Sequence, residues 1–257
     1  YIGGQSSTAT DRRTEVYYAT PTAGNITSWA TATNGLPAAR TNFGAAVWND
    51  RLYVIGGSGA GAGWTASNVC NTVYVSPQLS NGGNIATAWS TASTPFTAAR
   101  SGTAAVAYAN NLYLFGGFDG TNYLSDVQYS QINATNGTAG TWTFTSGLPA
   151  SHTQAEAVAA NGYIYLIGGR TNATTCDPST LVAPVSANTT IATGNNPTGV
   201  GEWYETNQRY TGARYGAGAV YHEGKIYVTG GGCGATLTYA TPATQQTTVL
   251  SQPQWCR

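Results

Sequence analysis

Arg51-Leu52-Tyr53-Val54-Ile55-Gly56-Gly57 is the stretch that decides the fold, because its pattern occurs five times along the chain. In every copy a short run that contains a tyrosine ends at two glycines, and a tryptophan follows at a similar distance. A repeat of this length, built from short strands, is typical of radially repeated β-sheets. The double glycines are Gly3-Gly4, Gly56-Gly57, Gly116-Gly117, Gly168-Gly169 and Gly230-Gly231. The tryptophans are Trp29, Trp89, Trp142, Trp203 and Trp255.

Each complete unit opens with a predicted β-hairpin. In the second unit, residues 44–48 form one strand, Asn49-Asp50 the turn and residues 51–55 the returning strand. Asn, Asp and Gly tolerate the positive φ that tight two-residue turns require. A third strand and an outer strand with the tryptophan complete the unit, so we expect four-stranded antiparallel sheets. The expected units are 1–34, 41–94, 101–147, 153–207 and 214–257, of which the first is incomplete.

The first strand of each unit is rich in small residues, as in Gly44-Ala45-Ala46 and Gly216-Ala217-Gly218-Ala219. The innermost strands of a radial array converge on a narrow axis, where bulky side chains would collide. A tryptophan on the outer strand has room to fill the wider gap between neighbouring sheets. This taper predicts sheets that are arranged around one central channel.

The succession of an apolar strand, a turn, a strand ending in Gly-Gly, a tyrosine-bearing strand and a tryptophan resembles the kelch repeat. The stretch from Phe118 to Val127 is the most similar to that family's consensus after the double glycine. The resemblance runs through essentially the whole chain and implies an all-β, kelch-type β-propeller of four-stranded antiparallel blades. Such propellers usually have six or seven blades, whereas five repeats are visible here. We therefore expect residues 1–257 to be one propeller domain or the larger part of one.

Charge is scarce in this chain. Ten basic and ten acidic residues make up 8% of the 257 residues, against about 25% in an average globular protein. A net charge near zero gives no electrostatic footprint for nucleic acid, and no apolar run approaches the roughly 20 residues of a membrane span. We therefore expect neither nucleic-acid binding nor membrane insertion. Methionine is absent even at position 1, so we expect a mature or internal portion of a longer chain.

Two features favour an extracellular or cell-surface location. Four cysteines, an even number, are compatible with disulfide bonds. Asn-x-Ser/Thr sequons are compatible with glycosylation, although a chain rich in Asn and Thr also produces them by chance. A hydroxyl-rich β-protein inside the cell is the alternative. The glycosylation candidates are Asn25, Asn133, Asn136, Asn172 and Asn188.

The cysteines are spaced too widely for a metal site of the usual kind. Cys70, Cys176 and Cys233 fall in or near connections from second to third strands, and Cys256 lies on the outer strand of the last unit. A Cys233–Cys256 disulfide would fasten the last strand to its own sheet. Cys70 and Cys176 would then form the remaining pair, although it would join non-adjacent sheets and strain the limit on Cα separation.

The sequence offers little material for catalysis. His152 and His222 are the only histidines, and His222 lies in a hairpin turn. The galactose-oxidase-like members of the kelch family need two His, two Tyr and a Cys for copper, and this chain does not reproduce that set. We therefore expect no catalytic residue, no metal and no cofactor.

Two groups of residues are candidates for binding. Arg40, Arg100, His152 and Arg214 each precede an innermost strand, so we expect them to line one end of the channel. There they would either bond loop carbonyls as scaffolding or form an anion or sugar site. Trp64 and Tyr123 lie in polar connections of variable length, where they would either bind sugars or protein surfaces or fold back onto the sheets.

The function that fits these features best is a non-enzymatic extracellular module for binding or structure. It would serve in a surface layer, a fibre, an adhesin or a larger secreted protein. Its partner would be a protein or glycan surface, including further copies or further domains of the same polypeptide. The alternatives are a secreted carbohydrate-active enzyme of the galactose-oxidase-like kelch type and an intracellular protein-interaction propeller.

Overall fold

A computed structural model describes residues 1–6, 11–61, 64–79, 82–185, 201–206, 209, 212–233 and, for the backbone alone, 248–250. These residues form five antiparallel sheets and contain no helix. The strands are β1 (Tyr17–Tyr18), β2 (Ala30–Thr31), β3 (Gly44–Trp48), β4 (Arg51–Ile55), β5 (Val73–Val75), β6 (Ser90–Thr91), β7 (Ala104–Tyr108), β8 (Asn111–Phe118), β9 (Tyr123–Ile132), β10 (Ala139–Thr145), β11 (Glu156–Ala160), β12 (Tyr163–Ile167), β13 (Thr180–Pro184), β14 (Tyr204–Glu205), β15 (Tyr215–His222), β16 (Lys225–Gly232) and β17 (Thr248–Leu250).

The predicted hairpins are confirmed. β3 pairs with β4 from Gly44↔Ile55 to Trp48↔Arg51, and the turn residues Asn49 and Asp50 both have positive φ. Equivalent hairpins join β7 to β8, β11 to β12 and β15 to β16. Three sheets have four strands in the order β3-β4-β5-β6, β7-β8-β9-β10 and β11-β12-β13-β14. The sheets fall inside the five units that the sequence predicts.

The innermost strands of the four larger sheets lie side by side. β3 packs against β7, β7 against β11, and β11 against β15. Their small side chains permit this approach: a Cβ added to Gly44 would lie 2.7 Å from the Cβ of Ala105 on the next sheet. The sheets therefore surround a common axis as blades, and the predicted all-β propeller architecture is confirmed.

The outer tryptophans of the three four-stranded blades pack against the preceding blade. Trp89 lies with Val16 and Leu36, and Trp142 packs edge-on against Phe96 with 5.7 Å between ring centroids. Trp203 contacts Phe115 in the same T-shaped manner. Apolar clusters between successive blades are thus the core of the molecule. Trp29, at the equivalent place in the first blade, is 60% exposed, and Trp255 lies outside the described residues.

Backbone hydrogen bonds add a regular seam between the blades. The N–H of the second glycine donates to the carbonyl that precedes the next innermost strand. A second series runs around the axis, from Gly102 to Asn42, from Gln154 to Gly102 and from Gly216 to Gln154, over 2.6–2.9 Å. Because these bonds use main-chain atoms alone, side chains at the seam can vary from blade to blade. The bonds of the first series are Gly4 to Arg40 (2.8 Å), Gly57 to Arg100 (2.9 Å), Gly117 to His152 (2.7 Å) and Gly169 to Arg214 (2.9 Å).

One disulfide joins two neighbouring blades. Cys176 is bonded to Cys233, with 6.1 Å between the Cα atoms, so the expected pairs Cys233–Cys256 and Cys70–Cys176 are wrong. Cys233 directly follows β16, and Cys176 lies in the connection from β12 to β13 of the adjacent blade. The two blades are neighbours because β11 packs against β15. Cys70 is a half-buried free thiol, and Cys256 lies outside the described residues.

Candidate functional site: the loop face and the central cavity

Two kinds of connection meet at one end of the blades. We call this end the loop face. It is made of the described residues of the connections from second to third strands (56–61 with 64–72, 119–122 and 168–179) and of the residues that lead into the innermost strands. The opposite end carries the hairpin turns. The opposite end also carries the connections from third to fourth strands, so both ends have loops in which a rigid scaffold can place binding residues.

The 119–122 turn is closed by its own hydrogen bonds and contacts the connection of the preceding blade. The Asp119 carboxylate accepts the backbone N–H groups of Thr121 and Asn122 at 2.8 and 2.6 Å. Burial opposes ionisation of this carboxyl, but these hydrogen bonds outweigh it and lower the pKa of Asp119. A Cβ added to Gly120 would lie 2.1 Å from the backbone nitrogen of Ala66. The tip of the 119–122 turn is thus seated directly on the connection of the preceding blade.

Trp64 and Tyr123 are both half-buried on this face. The Trp64 ring lies over Gly102, with its edge 3.4 Å from the place of a Cβ there. The Tyr123 ring packs on Phe118, with 4.8 Å between centroids. Each aromatic residue therefore rests on the blades and leaves part of its ring accessible. Their role in binding stays a prediction.

Arg40 and Arg100 do not line the channel mouth, because both are buried inside their blades. Arg40 donates to the Tyr74 hydroxyl at 2.8 Å and lies over its ring. Arg100 is 1% exposed and donates to Asp126 at 2.7 Å, as well as to the carbonyl oxygens of Gly116, Thr97 and Ala98. The expectation that these two side chains line the channel end is therefore wrong, and their hydrogen bonds within the protein agree with the scaffolding alternative.

His152 occupies the same repeat position and is also buried. Its Nε2 lies 2.8 Å from a carboxylate oxygen of Asp177 and its Nδ1 3.0 Å from the carbonyl of Ala150. Burial alone raises the pKa of Asp177, but hydrogen bonds from His152 and Ser179 outweigh this and lower it to about 2. Arg214 is the half-buried member of the set and donates to the carbonyl of Gly230 at 2.9 Å.

Arg170 becomes a candidate residue only in the structure. It follows the double glycine of the fourth blade and is half-buried on the loop face. Its guanidinium carbon lies 3.5 Å from the centroid of the Tyr215 ring, a distance typical of a cation–π contact. The sequence signal for Arg170 is that Ser58 and Phe118, which are not charged, follow the double glycine in two other blades.

Glu156 likewise becomes a candidate residue only in the structure. A cavity of about 470 Å³ lies on the axis, and the innermost strands β3, β7, β11 and β15 supply most of its wall. Glu156 stands on β11 opposite Ile167, the register position that Gly44, Ala104 and Gly218 occupy on the other innermost strands. Burial raises the pKa of its carboxyl to about 7. The signal in the sequence was a charged residue where the repeat otherwise has Gly or Ala.

The two histidines lie at opposite ends of the innermost strands. His152 precedes β11 on the loop face, whereas His222 ends β15 at the hairpin turn and is exposed. Within the described ranges, no group of three or more His, Cys, Asp or Glu residues is placed to hold a metal ion. Four of the sequon asparagines (Asn25, Asn133, Asn136 and Asn172) are exposed, and Asn188 lies outside the described residues. No described helix is long and apolar enough to cross a membrane.

Comparison with known proteins identifies the repeat. Residues 39–75 and 99–129 match the model of the Kelch motif. The chain is similar to Kelch-like protein terF of Aspergillus terreus, with 28% identity over 142 residues, which is 55% of this chain and 28% of that protein. It is also similar to the solved structure of YjhT, with a TM-score of 0.63 and 15% identity over 85% of this chain and 66% of that one. This chain therefore matches only part of the length of either protein.

Proposed function

Because the chain belongs to the kelch-repeat β-propeller family, we propose that it is a non-enzymatic extracellular module whose loop face recognises a protein or glycan surface. The propeller fold supports a binding or structural module in general. The finer proposal depends on the loop face, where the 119–122 turn contacts the connection of the preceding blade. Trp64 and Tyr123 are half-buried there and keep part of their rings accessible. In this proposal the recognised protein surface includes that of a second copy of the chain or of a further domain of the same polypeptide.

The contact between the closed 119–122 turn and the connection of the preceding blade is the observation that carries the proposal. Fixing a connection before binding removes the entropic cost of ordering it in the complex. Trp and Tyr supply large contact area at low entropic cost, and the surrounding Ser, Thr, Asn and Gly supply adaptable hydrogen bonds. This combination suits recognition of a polar surface better than chemistry on a substrate.

Removal of both loop-face aromatics should weaken binding by at least tenfold, the equivalent of about 1.4 kcal/mol. The variant is Trp64→Ala with Tyr123→Ala, tested on a glycan array and against immobilised surface proteins from the source cells. Trp48→Ala is the matched control, because Trp48 is also half-buried but lies beside the hairpin turn at the opposite end. Equal binding by wild type and the double variant would exclude the aromatic loop face as the recognition site.

The extracellular part of the proposal is supported by the Cys176–Cys233 disulfide, since such bonds persist in oxidising compartments. We expect Cys176 and Cys233 to resist alkylation in the protein isolated from its source, and Cys70 to react after unfolding without reductant. Replacing both bonded cysteines with Ser should lower the free energy of unfolding by about 2–4 kcal/mol. Peptide mapping by mass spectrometry measures the first outcome and urea unfolding the second.

The intracellular interaction propeller is the alternative that the same mapping tests. If Cys176 and Cys233 are alkylated without reduction in freshly isolated protein, the intracellular assignment replaces the extracellular one. The carbohydrate-active enzyme of the galactose-oxidase-like type is the weaker alternative. Its copper site brings two histidines together, whereas His152 and His222 stand at opposite ends of the blades.

A further inference from the structure

The central cavity combines an apolar wall with one carboxyl group. Small residues of four innermost strands form most of the wall, among them Ala45, Ala105, Ala157 and Ala219. Among the described residues that line the cavity, Glu156 is the one charged side chain. The cavity volume of about 470 Å³ falls within the range of small-ligand sites.

Glu156 has no internal partner in the described part of the chain. Its pKa is shifted by burial alone, without a contribution from a hydrogen bond or a neighbouring charge. This contrasts with Asp126, which pairs with Arg100, and with Asp177, which pairs with His152. Glu156 is half-buried on the cavity wall, and a carboxyl with a purely structural role there would be expected to have such a partner, because partial removal of a charge from water is costly without one.

The neighbouring strands supply no permanent charge to Glu156. β11 packs against β7, β12 and β15. Apart from phenols, the titratable side chain on these three strands is that of His222, which is exposed at the far end of β15. The titratable residues of these three strands are Tyr108 on β7, Tyr163 and Tyr165 on β12, and Tyr215, Tyr221 and His222 on β15.

We propose that the central cavity binds a primary ammonium group on an alkyl arm, with the Glu156 carboxylate as its counterion. The alkyl arm would pack along the alanine and valine side chains of the wall, as the stem of a lysine does on apolar surface. The ammonium group would supply the hydrogen bonds and the opposite charge that the half-buried carboxylate lacks within the described part of the chain. This site lies on the axis rather than on the loop face, so it goes beyond the proposed recognition function and does not depend on it.

Titration of n-butylammonium into the whole chain, followed by NMR chemical shifts of the inner-strand amides, tests the site. Wild type should bind it at least tenfold more tightly than it binds the neutral isostere n-butanol. Glu156→Gln should remove that preference and still fold, because Gln fills the same space without a charge. Glu223→Gln is the matched control, since it removes the same charge from an exposed turn at the far end of β15.

The dependence on pH provides a second readout. The carboxyl must lose its proton to pair with ammonium, so with a pKa near 7 the affinity should fall about 30-fold between pH 8 and pH 5.5. Glu156→Gln should show no such fall. The proposal is overturned if wild type does not bind butylammonium at millimolar concentration, if Glu156→Gln binds it equally well, or if the wild-type affinity is the same at both pH values.

Discussion

Replacement of Trp142 with alanine should lower the free energy of unfolding by about 3–5 kcal/mol, whereas the same change at Trp29 should cost less than about 1 kcal/mol. The two tryptophans occupy equivalent places in their blades. Trp142 is 9% exposed and packs against Tyr53, Ile55 and Phe96 of the preceding blade. Trp29 is 60% exposed. The difference follows from burial, because removing a buried indole leaves a cavity that rigid sheets cannot close.

Urea unfolding of both variants beside wild type measures the difference in midpoint. Trp142→Phe serves as a second variant, since a phenyl ring keeps much of the contact with Phe96. It should lose less than half of what alanine loses. Equal destabilisation by Trp142→Ala and Trp29→Ala would contradict the assignment of the interblade tryptophans as the main packing elements of this propeller.

The fold could be predicted from the sequence because the repeats share the same kinds of turn residue, the same small residues on the first strand and a tryptophan at a similar distance. The turn residues Asn49 and Asp50 adopt the expected positive φ, and the small residues of β3 and β15 stand where innermost strands meet. A single hairpin signal is weak. Five copies, each followed by a tryptophan at a similar distance, are a strong signal of radially repeated sheets.

The candidate site was harder to predict because its properties depend on neighbours that the fold supplies. The repeat position of Arg100 was visible in the sequence, but its burial follows from the carbonyl of Gly116 and the carboxylate of Asp126. The predicted disulfide pairs were wrong for a similar reason. Pairing depends on which connections meet in space, and Cys176 meets Cys233 across a blade interface rather than within one blade.

Glu156 illustrates the opposite case, in which a departure from the repeat carries the information. Gly44, Ala104 and Gly218 fill the same register position with small residues. At Gly44 the reason is visible, because an added Cβ would lie 2.7 Å from the Cβ of Ala105 on the next innermost strand. Glu156 places an ionisable carboxyl at this register position, where the other innermost strands have only glycine or alanine. Positions that break a repeat rule without an evident structural gain are the first places to look for function.

Gly116→Ala should lower the free energy of unfolding by about 3–5 kcal/mol, whereas Gly230→Ala should cost about 1–2 kcal/mol. Each glycine is the first of its double glycine and has positive φ, of 50° and 70°. Both variants therefore carry the strain of a left-handed alanine. At Gly116 the new Cβ would also lie 2.1 Å from the carbonyl oxygen of His152 and 3.0 Å from that of Leu124, whereas at Gly230 nothing lies within 4 Å.

The excess cost at Gly116 thus measures the closeness of the blades rather than backbone conformation. The carbonyl of His152 cannot withdraw easily, because it also accepts the N–H of Gly117 in the backbone seam. The alanine must therefore push the next blade away or break that hydrogen bond. Guanidinium unfolding of the two variants provides the comparison, with near-UV circular dichroism to establish that both fold. Equal losses would mean that the double glycine is required for its turn alone, and that the blades are held together by side-chain packing without this backbone seam.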